Sequence, residues 1–315
     1  MRFLLAVLLL LSSAAFAQGY PNKPIRLIVG FPPGGSADPT TRIIGAALQE
    51  QLGQPVVVEN RPGADSAIAA EQMTRMPADG YTIMFASNSA MTAAVALRKN
   101  PTYDPLKDFT PVSMVGRATV FFYVHPAVPA KTLKEFIEHA RANPGKLNYG
   151  TGNPLSILYN QQLMNATGIN MVHVPYKGEG PLNPDIIAGR VQSAFLSTGS
   201  AVSNAKDGRL RPLAVLLERR SPLLPAVPTI AEAGVPEVTV RQWAGVYGPP
   251  NMPREIVVRL NKEVNAALKR PDVLEKLQSY GYAAEGSSPE RLLEVNRADL
   301  ELWRRLVKEA GIPLE

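Results

Sequence analysis

From residue 25 onward, short apolar runs alternate with longer stretches that have the periodicity of amphipathic helices. The first runs lie at residues 25–31, 56–58 and 81–86, and each is followed by a helical pattern. Strands that alternate with helices are typical of parallel sheets covered on both faces, so the sequence predicts an α/β fold. Further candidate strands lie at residues 121–124, 147–150, 171–174, 191–196, 213–217 and 243–247.

Helix starts are visible at several of these boundaries. Asp38 followed by Pro39 predicts an N-cap and a first helical residue, and that helix is expected to end near Leu52. Residues 132–135 and 229–232 each have the Thr-x-x-Glu spacing of a capping box, which predicts two more helix starts.

Length and composition limit the architecture and the class of function. A chain of 315 residues exceeds the ~250 residues that a single core usually holds, so two domains are expected. There is no cysteine, which excludes disulfides and thiolate chemistry. The net charge is +6, but the basic residues are scattered, which is typical of a solvated surface and not of a nucleic-acid site.

The first 17 residues have the pattern of a secretory signal peptide. Arg2 precedes an apolar stretch at residues 3–11, and Ala15-Phe16-Ala17 forms an A-x-A cleavage site. This stretch is shorter than a membrane span requires. The sequence therefore predicts cleavage after Ala17 and export to the periplasm; the alternative is a buried N-terminal helix.

The usual catalytic and metal-binding motifs do not occur in this sequence. It contains no G-x-S-x-G, Walker A or H-E-x-x-H motif, and its three histidines have no ligand spacing. We therefore predict no enzymatic activity, no metal and no cofactor. An exported hydrolase-like enzyme is the alternative, and it would need Ser36 or Ser156 to lie beside a histidine.

Three polar loops follow predicted strands and precede predicted helices. They contain Gly35 and Ser36, then Ser87 and Asn88, then the segment that starts at Thr151. Parallel sheets bind ligands at the carboxyl ends of their strands, and helix N-termini attract anions. The loops therefore predict a site for an anionic ligand, although each loop taken alone could be an ordinary connection.

Several segments resemble the Bug proteins, the periplasmic binding components of tripartite tricarboxylate transporters. The resemblance extends over nearly the whole chain after residue 19. The matching segments are YPNKPIRLIV at residues 20–29, FPPGG at 31–35, LGQPVVVENRPGA at 52–64, DGY at 79–81, YDPLKDF at 103–109, NPGKLNYG at 143–150, HVPYKG at 173–178 and VPTIAEAG at 227–234.

This resemblance implies two Rossmann-like lobes with a central cleft, the architecture of type II periplasmic binding proteins. After a signal peptide at residues 1–17, lobe 1 would comprise residues 19–121 and 242–315, and lobe 2 residues 122–241. The implied ligand is a small carboxylate. The ligand-binding residues implied by position, or suggested by the loops around them, are Phe31, Gly35, Ser36, Ala37, Ser87, Asn88, Thr151, Gly152, Asn153, Ser156, Tyr176, Ser197 and Trp243, with core packing as the alternative for Trp243.

The same resemblance implies how such a protein would work. The lobes would close on the ligand by a hinge motion, and the closed form would deliver it to the membrane components of a tripartite tricarboxylate transporter or to a sensor kinase. The protein would act as a monomer without nucleic acid. A binding protein whose transporter is encoded elsewhere is also compatible with this sequence.

Two departures from the family pattern bear on the ligand. Many relatives have Asp-Asn where this chain has Leu196 and Ser197, and leucine cannot pair with a ligand ammonium, so free amino acids are expected to bind poorly. Glu179 replaces a smaller residue and is expected to disfavour a second ligand carboxylate. A carboxylate with an apolar or aromatic body is therefore preferred. Pro154 also removes a backbone N–H donor.

Overall fold

The computed structural model describes residues 19–33, 37–176, 179–309 and 314. Its eleven described strands form two sheets. The strands are β1 Ile25–Val29, β2 Val56–Asn60, β3 Thr82–Ser87, β4 Thr110–Ala118, β5 Val120–Val124, β6 Asn148–Thr151, β7 Val172–Pro175, β8 Ser193–Ser197, β9 Arg211–Val215, β10 Trp243–Gly248 and β11 Tyr282–Ala284.

Helices cover both sheets. Those described are α1 Ala37–Leu52, α2 Ala67–Met73, α3 Ala94–Ala96, α4 Leu133–Ala142, α5 Pro154–Thr167, α6 Glu179–Ile187, α7 Gly199–Lys206, α8 Arg254–Ala267, α9 Pro271–Ser279 and α10 Pro289–Glu309. A short 3-10 helix, Ala64–Ser66, precedes α2, and a π-helical turn, Ser89–Ala93, leads into α3.

The first sheet has the strand order β11-β4-β10-β3-β1-β2, and the second has the order β7-β6-β8-β5-β9. Apolar side chains fill the space between sheet and helices; Ile25, Leu27 and Phe85, for example, are fully buried. The prediction of an α/β fold with two sheets is confirmed.

The expectation that the sheets are parallel is wrong for about half of the strand pairs. β1 pairs in parallel with β2 and β3, and β6 does so with β7 and β8. β10, however, is antiparallel to β3 and β4, and β5 is antiparallel to β8 and β9. Periodicity reports which face of a strand is buried but not the direction of the neighbouring strand.

Two strands were not predicted. β4 contains Pro111 and Gly116, two residues that weaken a strand pattern, and its pairing with β10 shifts register twice. β11 has only three residues, too few for a periodic signal. β4 precedes the second sheet in the chain, whereas both strands that pair with it, β10 and β11, follow the second sheet.

The chain passes between the sheets at two neighbouring points. Residues 118–120 lead from β4 to β5, and the segment around Arg241 leads back to β10. The Ala118 N–H donates to the Gln242 carbonyl at 2.9 Å, which joins the two crossings. The predicted lobe boundary after residue 121 falls inside β5, whose first residue is Val120; the lobe boundaries themselves stay a prediction.

The predicted helix starts are close to those observed. α1 begins at Ala37, so Asp38 lies in its first turn and is not its N-cap. Thr132 caps α4, but the Glu135 carboxylate accepts from the Lys131 N–H and not from Thr132. The second box, at Thr229, forms both expected hydrogen bonds but closes a turn rather than a regular helix.

Replacing Thr132 with alanine is expected to destabilise the fold by about 1 kcal/mol, the usual cost of losing an N-cap hydroxyl. Its Oγ1 accepts the Glu135 N–H at 3.1 Å, and alanine leaves that donor to water. Urea unfolding followed by circular dichroism measures the change. Thr132→Ser retains the hydroxyl and should unfold like the wild type, so an equal loss in both variants would rule out the cap as the cause.

Within the described residues, every helix is too short or too polar to cross a lipid bilayer.

Candidate functional site

A cavity of about 210 Å³ lies where elements of the two sheets meet. Its lining has both polar and apolar side chains. The described residues that line it are Phe31, Asp65, Asn88, Ser89, Ala93, Ala94, Leu97, Asn153, Leu155, Gln242 and Trp303. The first sheet and its helices contribute most of them, Asn153 and Leu155 come from the start of α5, and Gln242 comes from the segment that joins the sheets.

The position of this cavity follows from the direction of the strands. Phe31 follows the end of β1, Asn88 follows the end of β3, and Asn153 follows the end of β6. β1 and β3 are parallel, so Phe31 and Asn88 reach the same edge of the first sheet. The cavity therefore lies at the carboxyl ends of strands, as expected for ligand sites in such sheets.

The N-terminus of α5 presents hydrogen-bond donors at the cavity. Asn153 caps the helix: its Oδ1 accepts the Ser156 N–H at 2.9 Å, and the Ser156 hydroxyl donates to the Asn153 carbonyl at 2.7 Å. Because Pro154 has no N–H, the first-turn donor left for a ligand is the N–H of Leu155. The helix dipole adds a partial positive charge, so this end of α5 favours an anion.

Asn88 connects the cavity to the inter-sheet segment. Its side chain is 1% exposed, and its Nδ2 donates to the Arg241 carbonyl at 3.0 Å. Its Oδ1 is buried and has no hydrogen-bond partner in the described part of the chain. The Asn88 side chain is therefore held by the segment that joins the sheets, and its Oδ1 is shielded from solvent.

A buried carboxylate, that of Asp299, forms hydrogen bonds with side chains next to this region. Asp299 accepts hydrogen bonds from Thr92 Oγ1 at 2.9 Å and from Trp243 Nε1 at 3.0 Å. Thr92 Oγ1 also lies 2.8 Å from the Asn88 carbonyl, so the carboxylate is tied to the segment that carries Asn88. Burial raises the pKa of Asp299 to about 6, and hydrogen bonds from Thr92, Trp243 and Asn88 act in the opposite direction.

The predicted residues of the second sheet lie at the ends of β6, β7 and β8. Thr151 is 3% exposed, and its Oγ1 lies 2.6 Å from His173 Nε2. Burial lowers the pKa of His173. The Tyr176 N–H donates to the Thr151 carbonyl at 2.8 Å, and the Tyr176 hydroxyl donates to Asp185 at 2.7 Å.

Ser197 binds a second carboxylate, which is half-buried. Glu179 accepts hydrogen bonds from Ser197 Oγ at 2.6 Å and from the Ser197 N–H at 3.0 Å. Burial raises the pKa of Glu179, and these hydrogen bonds partly offset the effect. The Ser197 hydroxyl is thus already engaged with a partner, as the Ser156 hydroxyl is with the helix cap.

Of the thirteen predicted residues, the structure places Phe31, Asn88 and Asn153 together on the cavity. Gly35 and Ser36 lie outside the described residues. The other predicted loop residues are near the same strand ends but are not part of the described lining: Ala37, Ser87, Thr151, Gly152, Ser156, Tyr176 and Ser197.

Trp243 occupies the core instead of the wall of this cavity. It is 1% exposed and is held by Asp299, which agrees with the alternative of core packing. Among the described residues, the tryptophan that lines the cavity is Trp303 on α10.

Asp65, Gln242 and Trp303 were not predicted as site residues. Asp65 follows β2 and Gln242 precedes β10. Neither residue lies in a sequence pattern that indicates ligand binding. Among the described residues, no group of three or more His, Asp or Glu side chains is arranged to hold a metal ion.

Known proteins resemble this chain over most of its length. Residues 40–312 match the family model of the tripartite tricarboxylate transporter family receptor. Protein BugT of Bordetella pertussis is 35% identical over 304 residues, which cover 95% of this chain and 93% of BugT. The resemblance to the Bug proteins is thereby confirmed.

Solved structures of such receptors share the fold. Rpa4515 of R. palustris with adipate is 34% identical, with a TM-score of 0.78, and the match covers 94% of this chain and 99% of that one. MatC of Rhodopseudomonas palustris with bound malate is 29% identical, with a TM-score of 0.71 and coverage of 91% and 100%. The predicted two-lobed binding-protein fold is confirmed, and so is the prediction that the protein is not an enzyme. The chain belongs to the tripartite tricarboxylate transporter receptor family and is a solute-binding protein.

Proposed function

We propose that this protein captures a small carboxylate in the cavity at the start of α5 and closes on it by a hinge motion. The observation that carries the proposal is that one cavity joins Phe31 and Asn88 of the first sheet to Asn153 and Leu155 of the second. A ligand in it would contact both lobes at once, and such contacts shift a two-state equilibrium towards a closed form.

The chemistry of the cavity supports a carboxylate with an apolar body. The α5 N-terminus supplies a backbone donor and a positive partial charge, and the loop that contains Gly35 and Ser36 is the proposed counterpart at the start of α1. Phe31, Leu97 and Leu155 supply apolar surface. The relatives Rpa4515 and MatC have adipate and malate in their structures, which supports the same class of ligand.

The two neighbouring crossings between the sheets are the proposed hinge. Two short segments that lie side by side can absorb a rotation of one lobe against the other. The proposed route is export to the periplasm by a signal peptide at residues 1–17, ligand capture as a monomer, and delivery to the membrane components of a tripartite tricarboxylate transporter or to a sensor kinase. Membership of the receptor family supports this route.

Calorimetric titration of the protein that starts at Gln18 tests the proposal. Mono- and dicarboxylates of different lengths are titrated, and bound ligand is recovered and identified by mass spectrometry. Saturable binding with unchanged ligand is expected, together with a smaller radius of gyration by X-ray scattering when the ligand is present. If no carboxylate binds, or if the ligand is converted, the proposed function is wrong.

Aspartate and glutamate are expected to bind at least about tenfold more weakly than the best monocarboxylate, which corresponds to about 1.4 kcal/mol. Leu196 is fully buried and offers no partner for an ammonium group next to the bound carboxylate, and burying an unpaired charge is costly. Glu179 would in addition repel the second carboxylate. Competition titrations measure the ratio, and micromolar affinity for either amino acid would contradict this expectation.

A further inference from the structure

Asp65 is a charged side chain in the wall of the cavity. Of the described residues that line it, Asp65 alone has a formal charge, and that charge is negative. No Lys or Arg within the described residues forms a salt bridge with it. A cavity proposed to bind anions therefore has an unpaired carboxylate in its wall.

The backbone holds Asp65 in the left-handed region, which non-glycine residues adopt uncommonly. Ala64, Asp65 and Ser66 have φ angles of 46°, 51° and 76°, and they follow Gly63 at 141°. Glycine would adopt these angles without strain, whereas other residues adopt them at a free-energy cost. Ser66 is 1% exposed and packs against Gly30, which has no room for a Cβ atom there. This packing explains how the turn persists.

Asn88 lies beside Asp65 in the lining but offers a ligand no second acceptor. Its Nδ2 donates to the Arg241 carbonyl at 3.0 Å, and its Oδ1 is shielded from solvent. Asp65 is exposed, so its carboxylate is the acceptor on the first-sheet side that a ligand in the cavity can reach.

We propose that Asp65 is a specificity-determining residue, and that the protein selects a monocarboxylate whose remote end has a cationic hydrogen-bond donor. This inference rests on the proposed function, because the carboxylate of the same ligand is bound at the start of α5. The remote ammonium group is attracted by Asp65. A second carboxylate in that position is repelled by Asp65.

Three acids of equal length separate these effects: 6-aminohexanoate, hexanoate and adipate, whose remote ends are cationic, neutral and anionic. The corresponding four-carbon series is 4-aminobutyrate, butyrate and succinate. We expect the wild type to bind the amino acid of at least one series most tightly and the diacid most weakly, with about tenfold between them. A tenfold ratio of affinities corresponds to the interaction energy of two unit charges at a moderate dielectric constant, as in a partly exposed site.

Asp65→Asn is the matched variant, because asparagine has the same shape and tolerates positive φ without a charge. It should reduce the ratio of amino acid to diacid affinity by about tenfold, through weaker binding of the amino acid and tighter binding of the diacid. Asp65→Gly should reduce the ratio equally and should also unfold at a higher urea concentration, because the strain is relieved. Hexanoate should bind the three proteins alike.

The outcomes separate this inference from the proposed function. One outcome is that the acids bind saturably and yet rank by affinity in the same way, with the same ratios, in the wild type and in both variants. In that case Asp65 does not select the ligand, and only this inference is wrong. If none of the six acids binds any of the three proteins, the proposed carboxylate function is contradicted, and the inference with it. A circular dichroism spectrum of each variant verifies folding before titration.

Discussion

Replacing Asn153 with aspartate is expected to weaken carboxylate binding by at least about tenfold while the fold remains intact. Asn153 Oδ1 accepts the Ser156 N–H, and an aspartate oxygen can accept the same hydrogen bond, so the cap on α5 is retained. The new carboxylate lies in the wall of the cavity, beside the proposed anion-binding N–H of Leu155. Its charge therefore opposes the ligand directly.

The measurement combines calorimetry with unfolding in urea. Asn153→Ser is the control, because serine also caps helices but adds no charge, and it should bind within about threefold of the wild type. Unchanged affinity in Asn153→Asp would show that the ligand does not bind at the start of α5. A large loss of stability in both variants would instead show that the cap cannot be altered without affecting the fold.

One contribution to the free energy of unfolding of the wild type is expected to fall by about 3 kcal/mol as the pH rises from about 4 to about 6. The source is Asp299, which is 8% exposed and whose pKa burial raises from 3.8 to about 6. Between these two pH values the native state binds a proton that the unfolded state has released, so unfolding becomes easier as the pH rises. The penalty is absent below pH 4 and complete above pH 6.

Asp299→Asn isolates this term. Asparagine Oδ1 can accept from Thr92 and Trp243 but has no charge to bury. Free energies of unfolding in urea are measured at several pH values for both proteins, and their difference is plotted against pH. Carboxyl groups whose pKa is lowered, such as those of Glu59 and Glu232, affect both proteins equally and cancel.

Between pH 4 and pH 6, the free energy of unfolding of the wild type should fall by up to about 3 kcal/mol relative to that of Asp299→Asn. Glu301→Gln removes an exposed carboxylate from the same helix and should leave the curve unchanged. Parallel curves for the wild type and Asp299→Asn would show that Asp299 ionises in the native state as easily as in the unfolded chain.

The positions of the helices and of most strands could be predicted from local patterns. The helix Leu133–Ala142, for example, has apolar residues at helical spacing and a threonine that can cap it, and both signals act within a few residues. β4 could not be predicted, because Pro111 and Gly116 weaken its pattern and its stability comes from β10, more than 100 residues later in the chain.

The candidate site was predictable only in part, namely where local patterns reveal the ends of strands. Phe31, Asn88 and Asn153 follow strands whose carboxyl ends form one edge, and this rule can be applied to a sequence. Trp303 and Gln242 could not be recognised, since they reach the cavity from α10 and from the inter-sheet segment. Asp65 could not be recognised either, since its position in the cavity wall depends on a turn with positive φ.

The sequence by itself determined that the chain is an α/β protein with polar loops after its strands, because hydrophobic periodicity and capping are local properties. Only the tertiary structure decided which strands are antiparallel, which tryptophan lines the cavity and which lies in the core, and that an unpaired carboxylate lies in the cavity wall. The physical reason is that pairing direction, burial and the electrostatic surroundings of a side chain are set by segments far away in the sequence.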